Sequence, residues 1–158
     1  MLKYCLDKWN KNRDRLEDVL RTDWELYRCD YEYLVKLVIK HILNDEECEY
    51  GDKWDADRIT TIDNGDYQGT LLFVIPNATY QPSEYEYLLT YIGYGSCSVC
   101  DYLQSIQPWE ARDLTDQEVK NFMALCKDIL TNIIKPWNQG WRHDDRFEVV
   151  TMEDTDAN

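Results

Sequence analysis

RITTIDNGDYQGTLLFVIP, residues 58–76, is where the hydrophobic pattern of this chain changes from helical to extended. Arg58 to Asp63 reads as a strand, and Asn64-Gly65 is a hairpin signal because both positions of a two-residue turn want positive φ. Tyr67 to Ile75 reads as the returning partner. Leu71, Leu72, Phe73, Val74 and Ile75 are apolar on both faces, which predicts a well-buried central strand.

Downstream, Pro76 and Pro82 bracket a connecting loop. Tyr85 to Gly93 then alternates, with Tyr85, Tyr87, Leu89 and Tyr91 on one face, and the short connections favour an antiparallel meander. Upstream, Leu2, Cys5, Leu6, Trp9, Leu16, Val19 and Leu20 recur at helical spacing, so residues 2–21 read as an amphipathic helix with a basic outer face. A second helix is expected from Tyr31 to Asn44, capped by Asp30, with Leu34, Leu37, Val38, His41 and Ile42 on one stripe.

After the sheet, a Gly93, Gly95, Ser96 turn leads to a short helix from Cys97 to Ile106. Thr115 and Glu118 then make a capping box for a long helix carrying Val119, Phe122, Met123, Cys126, Ile129, Leu130 and Ile133, with Pro136 as its stop. The order predicts an α+β fold: a three-stranded antiparallel sheet flanked by about four helices, two N-terminal, one short after the cysteine turn and one long near the C-terminus. Residues 1–150 are expected to form one domain, with Phe147 to Thr151 as a possible edge strand and 151–158 as an acidic, flexible tail.

The hydrophobic share of 44%, with 12 Tyr and 6 Trp, suffices for a core. Asp7, Lys8, Lys11 and Arg13 interrupt any export segment, and the longest apolar run, Leu71 to Ile75, is too short to span a bilayer. The expectation is a cytoplasmic protein whose six cysteines stay reduced.

A formal charge of −14 argues against direct binding to nucleic acid and fits a basic partner. The acid is unevenly spread. Asp45, Glu46, Glu47, Glu49, Asp52, Asp55 and Asp57 stand against Lys53 alone, and the stretch 144–158 adds six acids against Arg146. The acidic loop is therefore the candidate partner-binding surface. Its spacing lacks the glycine and distal glutamate of a calcium loop.

Cys97 and Cys100 stand in a Tyr-Gly-Ser-Cys-Ser-Val-Cys-Asp stretch, where two thiols separated by two residues can point at one centre. A zinc site needs about four ligands, so two must come from elsewhere. His41, Cys48, Cys5, Cys29, Cys126 and His143 are available, and Cys5 and Cys126 sit on apolar stripes where a thiol is a small hydrophobe. His41 and Cys48 are the choice to complete a structural zinc site. A thiol-disulfide oxidoreductase using Cys97 and Cys100 is the alternative, although the element order does not match a thioredoxin fold. No serine-nucleophile elbow or phosphate-binding loop is present, and no other catalytic residues are expected.

Tyr67-Gln68-Gly69-Thr70 and Tyr94-Gly95-Ser96-Cys97-Ser98-Val99-Cys100-Asp101-Tyr102-Leu103-Gln104 resemble stretches of small proteins encoded by bacteriophages and prophages, with Val99 where glycine often stands. Within that group the chain resembles zinc-binding anti-CRISPR proteins. The resemblance implies a non-enzymatic inhibitor of a type II RNA-guided nuclease that covers a basic, nucleic-acid-handling surface and blocks target DNA loading. A phage housekeeping or structural protein is the remaining alternative.

Overall fold

The structure, a computed structural model, describes residues 1–49 and 51–136. The expected edge strand Phe147 to Thr151, the tail, His143 and the acids of residues 144–156 lie outside the described residues.

Helix α1 spans Leu2–Arg21, as its periodicity predicts, and buries Cys5, Trp9, Asn12, Leu16 and Leu20 along one stripe. Helix α2, Tyr31–Val38, starts where Asp30 accepts the Tyr33 N–H at 2.9 Å, the expected cap. Its continuation differs from the expectation. Ile39–Leu43 is a π-helical turn in which Asn44 N–H reaches back five residues to the Ile39 carbonyl. The wider turn keeps Ile39, Ile42 and Leu43 buried but leaves His41 half-exposed instead of on the buried stripe. At its end, the Asn44 side chain accepts from Trp54 N–H at 2.8 Å and donates to the Trp54 carbonyl at 2.7 Å, fastening the acidic loop to the helix.

Strands β1 (Thr60–Asp63), β2 (Gly69–Pro76) and β3 (Tyr87–Tyr94) form an antiparallel meander in the order β1-β2-β3, with β2 central as expected. The hairpin after β1 is present, but it is not a two-residue Asn-Gly turn. Asp63 Oδ1 accepts from Gly65 N–H and Asn64 Oδ1 from Thr70 N–H, so side chains close a five-residue loop without positive φ at Gly65. In the row Thr61, Phe73, Thr90 the last two are buried on the inner face while Thr61, on the edge strand, is exposed, and the row Ile62, Leu72, Tyr91 faces outward.

Helix α3 is shorter than expected, Tyr102–Ile106, because Asp101 and not Cys97 caps it. Helix α4, Asp116–Thr131, has both halves of the Thr115–Glu118 capping box. It ends before Pro136 is reached, because Ile134 turns back to exchange two backbone hydrogen bonds with Leu89 of β3, at 2.9 and 2.8 Å. The core lies between the helices and the inner sheet face, where Phe73, Ile75 and Leu88 join Phe122, Ile129 and Leu130. Thr90, the buried polar residue in that face, donates to the Ile129 carbonyl at 2.7 Å. Among the described residues this is the predicted α+β architecture, a three-stranded antiparallel sheet with four helices.

Candidate functional site

Where β3 ends, the chain makes a tight turn that brings Cys97 and Cys100 to the surface. Cys100 and Asp101 both donate their N–H groups to the Cys97 carbonyl, at 3.0 and 2.8 Å. Gly95 lies beneath the turn so closely that a Cβ there would sit 2.5 Å from the Cys100 carbonyl carbon and oxygen. Only glycine fits that approach.

The turn hangs on Asp101, which is 4% exposed. Its carboxylate accepts from Gly95 N–H, from the Tyr31 hydroxyl and from Gln104 N–H, each at 3.0 Å. The Tyr31 oxygen in turn accepts the Leu103 N–H at 3.2 Å. Burial pushes the Tyr31 phenol up to about 12, with the carboxylate adding to the effect against the Leu103 N–H, so tyrosine remains a donor to Asp101 at neutral pH. One buried carboxylate thus ties the end of β3, the start of α3 and helix α2 to the base of the cysteine turn.

Above it, the two sulfurs are 3.6 Å apart and both cysteines are exposed. The thiol of Cys97 is lowered by the N–H groups of Val99 and Cys100 and by the Cys100 thiol, while that of Cys100 is raised by its neighbour. One sulfur is therefore the better nucleophile and the other holds its proton longer.

The other residues predicted for zinc do not join this pair. Cys48 is held against α1, with Lys8 Nζ at 3.5 Å and the Asp45 carboxylate at 3.4 Å. His41 lies in the π-helical turn, where burial lowers it, and Arg15 and Lys40 lower it further. Among the described residues, no three His, Cys, Asp or Glu side chains stand close enough to share a metal ion. The expected set Cys97, Cys100, Cys48 and His41 is not assembled. Cys5 and Cys126 are core thiols, as their stripes predict, and burial raises both.

The acidic loop also differs from a free negative surface. Asp45 is 5% exposed and accepts from Lys8 at 2.8 Å, from Lys11 at 3.2 Å and from Asn12 at 3.2 Å, so it is not available to a partner. Glu47 pairs with Lys11, Asp55 with Arg58 at 2.5 Å and Asp57 with Lys40 at 3.7 Å. Glu46, Glu49 and Asp52 remain exposed. The signal for the internal cluster was Asn12, an amide on the buried stripe between Trp9 and Leu16. A buried polar side chain needs a partner, and Asn12 finds the Ile42 carbonyl and Asp45. Next to this cluster, Tyr4, Lys8, Cys48, Trp54 and Asn77 line a cavity of about 460 Å³.

No protein family, curated protein or solved structure matches this chain. Among the described residues, no helix is long and apolar enough to cross a membrane.

Proposed function

We propose that this protein is a thiol–disulfide exchange protein working through Cys97 and Cys100. The observation that carries the proposal is the pair of exposed sulfurs 3.6 Å apart on a turn anchored from below. Closing that gap to a disulfide bond needs a shift of about 1.5 Å. The element order is not that of thioredoxin, so the chemistry rests on the turn and not on the fold.

The thiolate of Cys97 attacks a substrate disulfide, forming a mixed disulfide and releasing one substrate sulfur as thiolate. Cys100 then gives up its proton and attacks the Cys97 sulfur, closing the Cys97–Cys100 bond and releasing the second substrate thiol. Two cysteine thiols are oxidised and one disulfide is reduced; the reverse sequence oxidises a substrate dithiol.

Equilibration in thiol–disulfide buffers, read by mass spectrometry, is expected to show loss of the mass of two hydrogen atoms on oxidation, with the bond mapped to Cys97–Cys100. Iodoacetamide should alkylate Cys97 faster than Cys100, with a pH midpoint below that of an ordinary thiol because the lowered thiol is already ionised there. Cys97→Ser should abolish exchange, whereas Cys100→Ser should trap the mixed disulfide. A wild-type pair that forms no disulfide at equilibrium with a large excess of hydroxyethyl disulfide would sink the proposal.

A second proposal keeps the inhibitor of a type II RNA-guided nuclease that the motif resemblance implies, with a structural zinc site as part of it. Supporting it are Glu46, Glu49 and Asp52, exposed acids without a side-chain partner among the described residues, and the 3.6 Å sulfur spacing, close to the edge of about 3.8 Å in a tetrahedral zinc–thiolate site. Reversing these three acids to lysine should weaken binding to such a nuclease at least ten-fold and flatten its salt dependence. Unchanged binding would remove the loop from that reading.

A further inference from the structure

The segment that builds the sheet and the cysteine turn has an unusual charge content. From Ile59 to Ala111 there is no lysine, arginine or histidine, while Asp63, Asp66, Glu84, Glu86, Asp101 and Glu110 all carry acid. Three of these lie at the turn or at the end of β3 that leads into it. Asp101 sits below it and acts on the Cys97 sulfur as a negative charge. Asp63 accepts the Tyr94 hydroxyl at 2.6 Å, and the Asp66 charge is felt by the same phenol at the end of β3.

Next to the base of the turn, Asp30, Asp63, Leu71, Gly95, Asp101 and Gln104 are among the residues lining a cleft of about 330 Å³. Its lining contains no cation. The arginines that flank the segment in sequence are bound to acids of their own, Arg58 to Asp55 at 2.5 Å and Arg112 to Glu118 at 2.8 Å. No cationic side chain is among the groups acting on either sulfur, and Val99, 92% exposed between the two cysteines, presents no charge to a substrate that reaches them.

We infer that the Cys97–Cys100 dithiol selects cationic disulfides, such as a disulfide flanked by lysine or arginine in a basic polypeptide, and discriminates against anionic ones such as oxidised glutathione. The inference rests on the exchange reaction proposed above. Its physical basis is the encounter step: a net field of one sign raises the local concentration of oppositely charged reactants and lowers that of like-charged ones, by ten-fold or more at low ionic strength. Salt removes the effect beyond about 10 Å at 0.1 M.

The experiment uses the full chain, reduced, with three small disulfides: cystamine (cationic), hydroxyethyl disulfide (neutral) and oxidised glutathione (anionic). Each oxidation rate is divided by the rate of the same disulfide with free dithiothreitol, which removes intrinsic reactivity. At 10 mM salt the corrected cystamine rate is expected to exceed the corrected glutathione rate at least ten-fold, with hydroxyethyl disulfide between them. At 1 M salt the ratio should fall to within about two-fold of unity. In Asp66→Asn the low-salt ratio should drop by about half. Equal corrected rates for the three disulfides, or a ratio indifferent to salt, would overturn the charge selection while leaving the dithiol chemistry in place. No reaction with hydroxyethyl disulfide would overturn the exchange reaction and this inference together.

Discussion

Asp45→Ala is expected to destabilise the protein by about 3 kcal/mol, the range found when one member of a buried ion pair is removed. The loss is not that of a surface acid. Lys8, 18% exposed on its side chain, keeps its charge but loses the carboxylate 2.8 Å away, and Asn12 loses one of its two acceptors inside the helical core. Glu47 N–H loses the Asp45 Oδ1 that closes the loop at 3.1 Å. Urea denaturation should show a lower midpoint with unchanged slope, since the same surface is exposed on unfolding. Lys11→Ala should cost under about 1 kcal/mol, because that lysine is 42% exposed and solvent screens its pairs.

The pH dependence of this difference has a fixed sign. Burial raises the Asp45 carboxyl, but the hydrogen bonds from Lys8, Asn12, Cys48 and Lys11 outweigh it and hold the group well below the usual carboxylate range. A depressed folded value contributes stability that is fully present above the unfolded value of about 4 and is lost as pH falls through the folded one. The gap between wild type and Asp45→Ala should therefore narrow as pH drops from about 5 toward 2. A gap that stays constant across that window would show that the carboxylate is not paired as described.

Asp101→Ala should cost a similar amount, about 3 kcal/mol, and should also impair the dithiol. Three donors converge on this carboxylate, and leaving buried donors unpaired costs about 1 to 3 kcal/mol each before relaxation. Tyr31→Phe removes one of those bonds and also takes the acceptor from the Leu103 N–H, so its cost should be at least half as large. Freed from its anchor, the turn samples arrangements in which the two sulfurs are apart. The effective concentration of Cys100 toward a mixed disulfide at Cys97, measured in graded glutathione buffers, should fall at least ten-fold. If Asp101→Ala is as stable as wild type and closes its disulfide with the same effective concentration, then the turn is held by something other than this carboxylate.

The readable features of the sequence were those whose physics is local. The Thr115–Glu118 box stops a helix from fraying within four residues, and the stripe from Cys5 to Leu20 needs only a period, so both ends of the helical layer could be placed from the sequence alone. The central strand was legible because Leu71 to Ile75 has no polar face to turn outward. Features set by distant partners were not legible. A count of acids in residues 45–57 treats Asp45 and Glu46 alike, yet a lysine 37 residues earlier removes the first from the surface. The same holds for the cysteine turn: Cys97 at a helix start was the local reading, and Asp101 takes the cap instead because Tyr31, 70 residues earlier, offers it a buried hydroxyl. Asn64-Gly65 has the composition of a two-residue turn, but the side chains of Asp63 and Asn64 supply closer partners for the loop N–H groups.

The π-helical turn at Ile39–Leu43 places one more residue in the helix than an α-helical turn would hold, and the Asn44 side chain clasps Trp54 from its far end. Each residue in a helix rotates the chain by about 100°. Deleting one residue between 39 and 43 would remove the residue that the wide turn absorbs and restore α-helical geometry with Asn44 facing much the same way, whereas inserting one would swing Asn44 away from Trp54. This stretch should therefore accept a change of side chain, or the loss of one residue, far more readily than an insertion.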